Sequence, residues 1–278
     1  MSLAAISEPA SPALLVRTWN LFHGNTSPRG SSRRLERMVR LAVEDAPGLV
    51  LLQELPVFAL ARLNMWTGYT SFGAVAARPR LPAELGGRVT DLRPALFRSA
   101  LEGQANAILV APALAASDHA QLALNPRRFR RREAERLQLP LGARAKWAWE
   151  RRVVHAVRVA IPDGRTIVVA NMHATNYRPD KRLANVELLR AAAFADALAR
   201  PDEPVVLGGD FNVTIVSSPT LRALSTSEWG FSAAGPGVDH VLIRGLDLLE
   251  GERAWPPDRR RANGRLLSDH APVEVRVR

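Results

Sequence analysis

Apolar residues in this chain recur in two rhythms. Unbroken runs at LLVRTWN (14–20), LVLLQE (49–54), GQANAILVAP (103–112) and PVVLGGD (204–210) predict strands buried on both faces. Longer stretches repeat their apolar positions at helical spacing. In SSRRLERMVRLAVEDAPG (31–48) Leu35, Met38, Val39 and Ala42 share one face, Ser32 fits an N-cap, and Pro47 with Gly48 predicts the stop. VFALARLNMW (57–66) reads as a short helical stretch, and PDKRLANVELLRAAAFADALA (179–199) as a long helix. RRVVHAVRVAIPDGRTIVVANMH (151–173) predicts a hairpin turning at Pro162-Asp163-Gly164. VDHVLIRG and APVEVRVR supply late strands. Residues 77–149 read as long connections on few core elements, with NPRRFRRREAERLQLP (125–140) a basic, helical or irregular segment.

The order of these elements repeats. Strand, helix and strand from LLVRTWN to LVLLQE have the plan of TIVVANMH to PVVLGGDFN, with 34 positions from Asn20 to Glu54 and 37 from His173 to Asp210. No Gly/Ser linker divides the chain. The expected organisation is a flexible segment over 1–13 and one catalytic-type domain over 14–278.

Polar residues fall where the strands end. Asn20, Glu54, His173, and Asp210 with Asn212 close four strands, whereas Asp239, and Asp269 with His270, precede two late ones. If all meet at one edge, the late strands run opposite to the earlier four, in mixed sheets covered by helices.

Composition narrows the class. An apolar content of 47% over 278 residues supports a large core, and the lack of cysteine excludes disulfides and thiolate zinc sites. The amino-terminal stretch is a poor export signal, since Glu8 and two prolines interrupt it, and no run reaches the roughly 18 apolar residues of a membrane span. A cytoplasmic protein is the expectation. The formal charge of +11 comes almost wholly from arginine and suits phosphate polymers and anionic membranes alike.

Carboxylates and amides gathered at one edge make an oxygen-rich site for a hard cation, Mg²⁺ or Mn²⁺. Histidines beside it can move protons near neutral pH. The chemistry this suits is metal-assisted displacement at phosphorus.

The motifs TWN, LQE, NMHATN, GGDFN, VDHV and LLSDHAP, in this order from about residue 14 onward, resemble those of the endonuclease/exonuclease/phosphatase superfamily. The resemblance implies an α/β fold, a four-layer α/β sandwich with two mixed β-sheets face to face and helices on the outer faces. It implies metal ligation by Asn20, Glu54 and Asp269, with Glu54 the principal ligand. It makes His270 the residue that activates water or contacts the scissile phosphate, with Asp239 orienting its ring. Asp210 and Asn212 then hold the nucleophile and a phosphate oxygen, and His173 binds phosphate or aids the leaving group. That histidine sides with the DNase-like and phosphodiesterase or phosphatase branches rather than with the abasic-site nucleases, which carry a tyrosine there. The segment 112–150 fits no branch.

Singly, Asn20 would cap a turn, Glu54 would sit in a surface ion pair, and Asp210 with Asn212 would mark a turn. Jointly those readings need six coincidences. Arg151 and Arg152 are candidates to approach phosphate. Trp147 and Trp149 could stack on bases, though core packing is the commoner use. His23 reads as a loop histidine, His240 as pointing out of its strand, and His119 and His155 as surface residues. The expectation is a Mg²⁺-dependent phosphodiesterase acting on DNA, with no obligate protein partner. The alternatives are a phosphoesterase for a lipid or small phosphorylated metabolite, and a binding protein that kept the scaffold.

Overall fold

Alternation within the apolar runs builds the layers of this molecule. In the computed structural model, which describes residues 13–28, 34–78 and 103–278, the strands are numbered in chain order. One sheet runs β11 (Leu248–Ala254), β14 (Val273–Val277), β1 (Leu14–Asn20), β3 (Leu49–Leu55), β5 (Gln104–Val110), β4 (Thr70–Ala77). The other runs β10 (Asp239–Arg244), β9 (Val205–Asp210), β8 (Thr166–His173), β7 (Val153–Ala160), β6 (Ala116–Ala123). A small ribbon joins β12 (Arg261–Ala262), β13 (Arg265–Leu267) and β2 (Thr26–Ser27).

Both sheets are mixed. β1 pairs parallel with β3, and β8 parallel with β9, while β14 and β10 run antiparallel to β1 and β9. Successive side chains point to opposite faces. Val16, Leu49, Leu51, Val169, Val206 and Val275 therefore meet between the sheets, in one apolar layer. The opposite face of the first sheet offers Trp19, Val50 and Leu52 to α1 (Leu35–Ala42) and α2 (Leu63–Thr67). The opposite face of the second offers Val168, Ala170 and Leu207 to α5 (Arg182–Leu198) and α6 (Pro219–Leu224). Three apolar layers separate four layers of structure, the sandwich that the motifs implied. The strand–helix–strand repeat is present as β1–α1–β3 and β8–α5–β9.

Two glycines let β9 lie close to its neighbours. Gly209 has φ +138°, and a Cβ there would come within 1.9 Å of the Met172 carbonyl oxygen in β8. At Gly208 it would come within 2.5 Å of the Leu51 side chain on the facing sheet.

Several local expectations need correction. α1 stops at Ala42, well before Pro47, because Asp45 and Ala46 turn left-handed at φ 65° and 48°. The freed carbonyls of Ala42 and Glu44 accept from the Arg17 guanidinium at 2.7 and 2.8 Å. Ser32, like nearly all of segment 1–13, lies outside the described residues. Of the stretch 77–149, residues 79–102 lie outside the described residues, and 103–149 are more regular than connections: they hold β5, β6, α3 (Arg127–Arg136) and α4 (Leu141–Trp149). His155 and His240 are fully buried, because strands covered on both faces have no outside. His240 sits between Glu252 Oε2 and the Val213 carbonyl, each at 3.1 Å, and packs on Phe211. No helix among the described residues is long and apolar enough to cross a membrane.

Candidate active site

Along the face between the sheets, each strand grades from apolar to polar toward one edge. β1 reads Leu14, Val16, Thr18, Asn20 on that face; β8 reads Ile167, Val169, Asn171, His173; β9 reads Val206, Gly208, Asp210. β5 and β10 run the other way and so begin at the polar edge, with Gln104 and Asn106, and with Asp239. Below the edge, Gln53 Nε2 donates to Asn171 Oδ1 at 2.8 Å and to Thr18 Oγ1 at 3.0 Å. The Asn171 amide donates to the carbonyls of Leu52 and Ala107. This buried seam ties the sheets together directly beneath the site. Glu54 departs from strict alternation: the β3–β5 register shifts between Leu52 and Leu55, and Glu54 takes φ 52°. That bulge aims its carboxylate at the same edge.

Asp210 lies at the centre and is 1% exposed. Its Oδ1 accepts from the backbone N–H of Asn212 at 3.0 Å. Its Oδ2 accepts from Asn20 Nδ2 at 3.0 Å and lies 3.4 Å from His173 Nε2 and 3.8 Å from His270 Nε2. Asn20 Oδ1 accepts from the Phe22 N–H, so both ends of that amide are fixed. Asn212, at φ 53°, donates its Nδ2 to the Ala174 carbonyl, and its own carbonyl accepts from Lys181 Nζ at 2.8 Å.

The two histidines are held in opposite states. At His173, Nδ1 lies 3.1 Å from Arg152 Nη1 and 2.9 Å from Gln104 Nε2. A guanidinium only donates, so Nδ1 accepts and the ring proton sits on Nε2, facing Asp210 and, at 3.9 Å, Glu54. Burial, with Arg152 and His270 nearby, holds its pKa well below the ordinary value. At His270, Nδ1 donates to Asp239 Oδ2 at 2.7 Å. Burial opposes its charge, but Asp239 and Asp210 outweigh it and raise the pKa to about 10. Asp239 is itself pushed up to about 6, chiefly by burial.

The carboxylates suit a cation. Burial raises Glu54 to about 7 against the pull of Arg152 and His270, and Asp210 and Asp269 push it further up. Asp239 Oδ1 is buried without a hydrogen-bond partner. Asp210, Asp239 and His270 bring ligating atoms within 4.8 Å of one another. Oxygen donors predominate, which fits a hard divalent ion better than zinc. Asn20, Glu54 and Asp269, the set that the motifs implied, stand around this compact group. Glu54 faces it from across the edge, and Asp269 is exposed at the rim, where its charge reaches Glu54 and His270.

The paired arginines diverge. Arg152 is buried and bonded both to His173 and to Glu150 Oε2 at 2.5 Å, whereas Arg151 is exposed. Trp147 is core, donating to Glu187 Oε1 at 2.6 Å, and Trp149 is 62% exposed. His23 is buried near the centre, close enough for its charge to affect His173. Gln104, Lys181 and Glu187 were not anticipated. Gln104 was legible as a polar residue opening an apolar strand. Glu187 was not, being one of two acids in an amphipathic helix.

The family model described as Endonuclease/Exonuclease/phosphatase family matches residues 18–270. A UPF0294 protein of Vibrio cholerae is 30% identical over 133 residues, 44% of this chain and 43% of that protein. One from Klebsiella pneumoniae is 33% identical over 101 residues, 32% of this chain and 36% of that protein. The match thus spans less than half the length of either relative. Among solved structures, a functionally unknown conserved protein of Enterococcus faecalis superposes with TM-score 0.66 at 14% identity, over 95% of this chain and 99% of its own. A mannosyl-6-phosphatase of Bacteroides thetaiotaomicron gives 0.64 at 14%, over 95% and 99%. The human nocturnin catalytic domain with bound sulfate gives 0.64 at 14%, over 96% and 93%. At such identities these three share the fold.

Proposed function

The chain belongs to the endonuclease/exonuclease/phosphatase family, whose members are phosphoester hydrolases, and from that premise we propose that it is a Mg²⁺- or Mn²⁺-dependent phosphodiesterase acting on nucleic acid. The observation that carries this is the convergence on Asp210 Oδ2 of Asn20, His173 and His270. A carboxylate so surrounded is oriented to accept a proton from water beside a phosphate held by the imidazoles.

A divalent ion, when bound, neutralises phosphate oxygens and acidifies water. Glu54 and Asp269, with the Asn20 amide oxygen, would hold it. The chain's own residues do the rest. Asn20 and the Asn212 N–H fix the Asp210 carboxylate. His270, charged at neutral pH and fixed by Asp239, offers Nε2–H to a phosphate oxygen. His173 offers a second, uncharged N–H from its Nε2. Arg152 and Gln104 fix that tautomer by donating to Nδ1. Asn212 holds its loop against Ala174, beside the phosphate.

Nucleic acid is favoured by the +11 charge and by the arginines around 127–152. The fold shared with a mannosyl-6-phosphatase keeps a small phosphate ester as the second reading. The test is hydrolysis of plasmid, single strands, sphingomyelin and sugar phosphates, each with Mn²⁺ or Mg²⁺ and with EDTA. Cleavage of nucleic acid that EDTA abolishes is expected. Full activity after exhaustive chelation would sink the metal assignment, and turnover of monoesters alone would sink the diesterase reading.

A further inference from the structure

α3 and α4 enclose a cleft of about 500 Å³ lined by Arg127, Arg130, Arg131, Glu135, Arg144 and Trp147. The arginines of α3 divide by surroundings. Arg132 and Arg136 share Glu133, at 3.2 and 2.6 Å. Arg127 and Arg131 face no carboxylate within ion-pair distance among the described residues, and Glu135 is the one acid lining the cleft. Two of the cleft arginines are anchored: Arg130 to the Asn125 carbonyl at 2.9 Å, and Arg144 to the Leu139 carbonyl at 2.8 Å. Arg130 is close enough to Arg127 and Arg151 to be repelled by both. The fold thus assembles guanidinium groups against their mutual repulsion, which an incoming anion relieves.

The chain runs directly from the cleft to the catalytic edge. Trp149 and Arg151 flank Glu150 where α4 ends, and the next residue, Arg152, is bonded to His173. Trp147 touches both ends of this path, lining the cleft while its indole holds Glu187, which accepts from the Thr175 N–H two residues beyond His173. Resting on the phosphodiesterase reading above, we propose that this cleft holds the backbone phosphates of a nucleic-acid strand whose scissile phosphate lies at Asp210 and His270, with exposed Trp149 stacking on one base.

The shape favours a strand over a membrane. Leu141 and Trp149 are the large exposed apolar residues of α4, at 83% and 62%. The only exposed apolar side chains between them are the small ones of Ala145 and Ala148, which leaves little apolar bulk to insert into a bilayer. The arginines line a concavity, which a flat bilayer does not fill. Guanidinium groups bind phosphate through paired N–H donors, and indoles stack on bases of any sequence.

The test is fluorescence anisotropy of a labelled thymidine strand of about twelve nucleotides, within the usual site size, in EDTA so that no turnover occurs. The wild type is compared with Arg127→Gln/Arg131→Gln. A control, Arg40→Gln/Arg276→Gln, removes the same charge from surface ion pairs elsewhere. The cleft variant should bind at least about tenfold more weakly, with a log–log salt slope shallower by about 1.4, or about 0.7 per single-strand phosphate. The control should change affinity by less than about threefold. Trp149→Ala should weaken binding about tenfold without altering the salt slope. Equal weakening in both double variants overturns the proposal, as does tighter binding to phosphatidylglycerol vesicles than to the strand. Hydrolysis of a chromogenic diester with Mn²⁺ is read separately. If the wild type lacks it, the phosphodiesterase reading fails, while the anisotropy still decides the cleft.

Discussion

Asp210 receives an amide from β1 and its own loop's N–H, with two imidazoles beside its Oδ2. Removing a charge or a ring from such a cluster affects rate more than fold. Asp210→Asn and His270→Ala should each slow turnover by about 10²–10⁴-fold, the usual range for a group acting in proton transfer, with an unchanged far-ultraviolet circular dichroism spectrum. Near-normal turnover in His270→Ala would remove that residue from the mechanism. These residues were legible because each closes or opens an apolar run, where a polar side chain has no packing reason to be. Arg152 was only half legible. Its pairing with Arg151 in sequence gave no sign that one guanidinium would be buried on His173 while the other faced solvent. His155 and His240 were misread for the converse reason, since an imidazole inside a doubly covered strand needs a partner that sequence does not show.

Helix α5 reaches the site through one side chain. Glu187 is fully buried and accepts from Trp147 Nε1, Thr175 N and Thr175 Oγ1, at 2.6, 2.6 and 2.9 Å. It therefore pins the loop that follows β8 to both α4 and α5. Burial raises its carboxyl from 4.5 to about 7, despite the opposing pull of Arg152. The folded chain keeps this proton to higher pH than the unfolded chain, so its contribution to stability falls as pH rises from about 4.5 to about 7 and is level above. Glu187→Gln should remove that slope. The check is the difference in urea unfolding free energy between variant and wild type across the window: it should grow in the variant's favour with pH, and a constant difference would refute the buried-carboxyl account. The strand–helix–strand repeat was readable at this scale because its strands are long and apolar. β6 and β11 were not, since both are largely exposed and edge-like, with register shifts in their pairing.

Across the whole molecule, two acids with depressed pKa values fasten outlying parts to the sheets. Glu274 in β14 accepts from Arg17, Arg253 and Trp255. Glu203, before β9, accepts from Arg158 and Thr166. Burial works against both charges, but these donors prevail and hold each carboxyl at about 2. Such groups stabilise the fold fully above about 4.5 and lose that contribution as pH falls through about 2. Urea midpoints should therefore drop steeply over this acid range, and less steeply in Glu203→Gln. Equal acid sensitivity in that variant would contradict the assignment.

The place of β14 has a bearing on how the protein is made. It lies between β1 and β11, and Val277 pairs with Leu14 at the other end of the sequence. A chain emerging from the ribosome presents Asn20, Glu54, His173 and Asp210 long before His270 and the strand behind it exist. Until residues 268–277 arrive, β1 has an open edge where β14 belongs, and Asp210 lacks one of its two imidazoles. The growing chain thus gains the second imidazole at Asp210 and its closed sheet in the same late step.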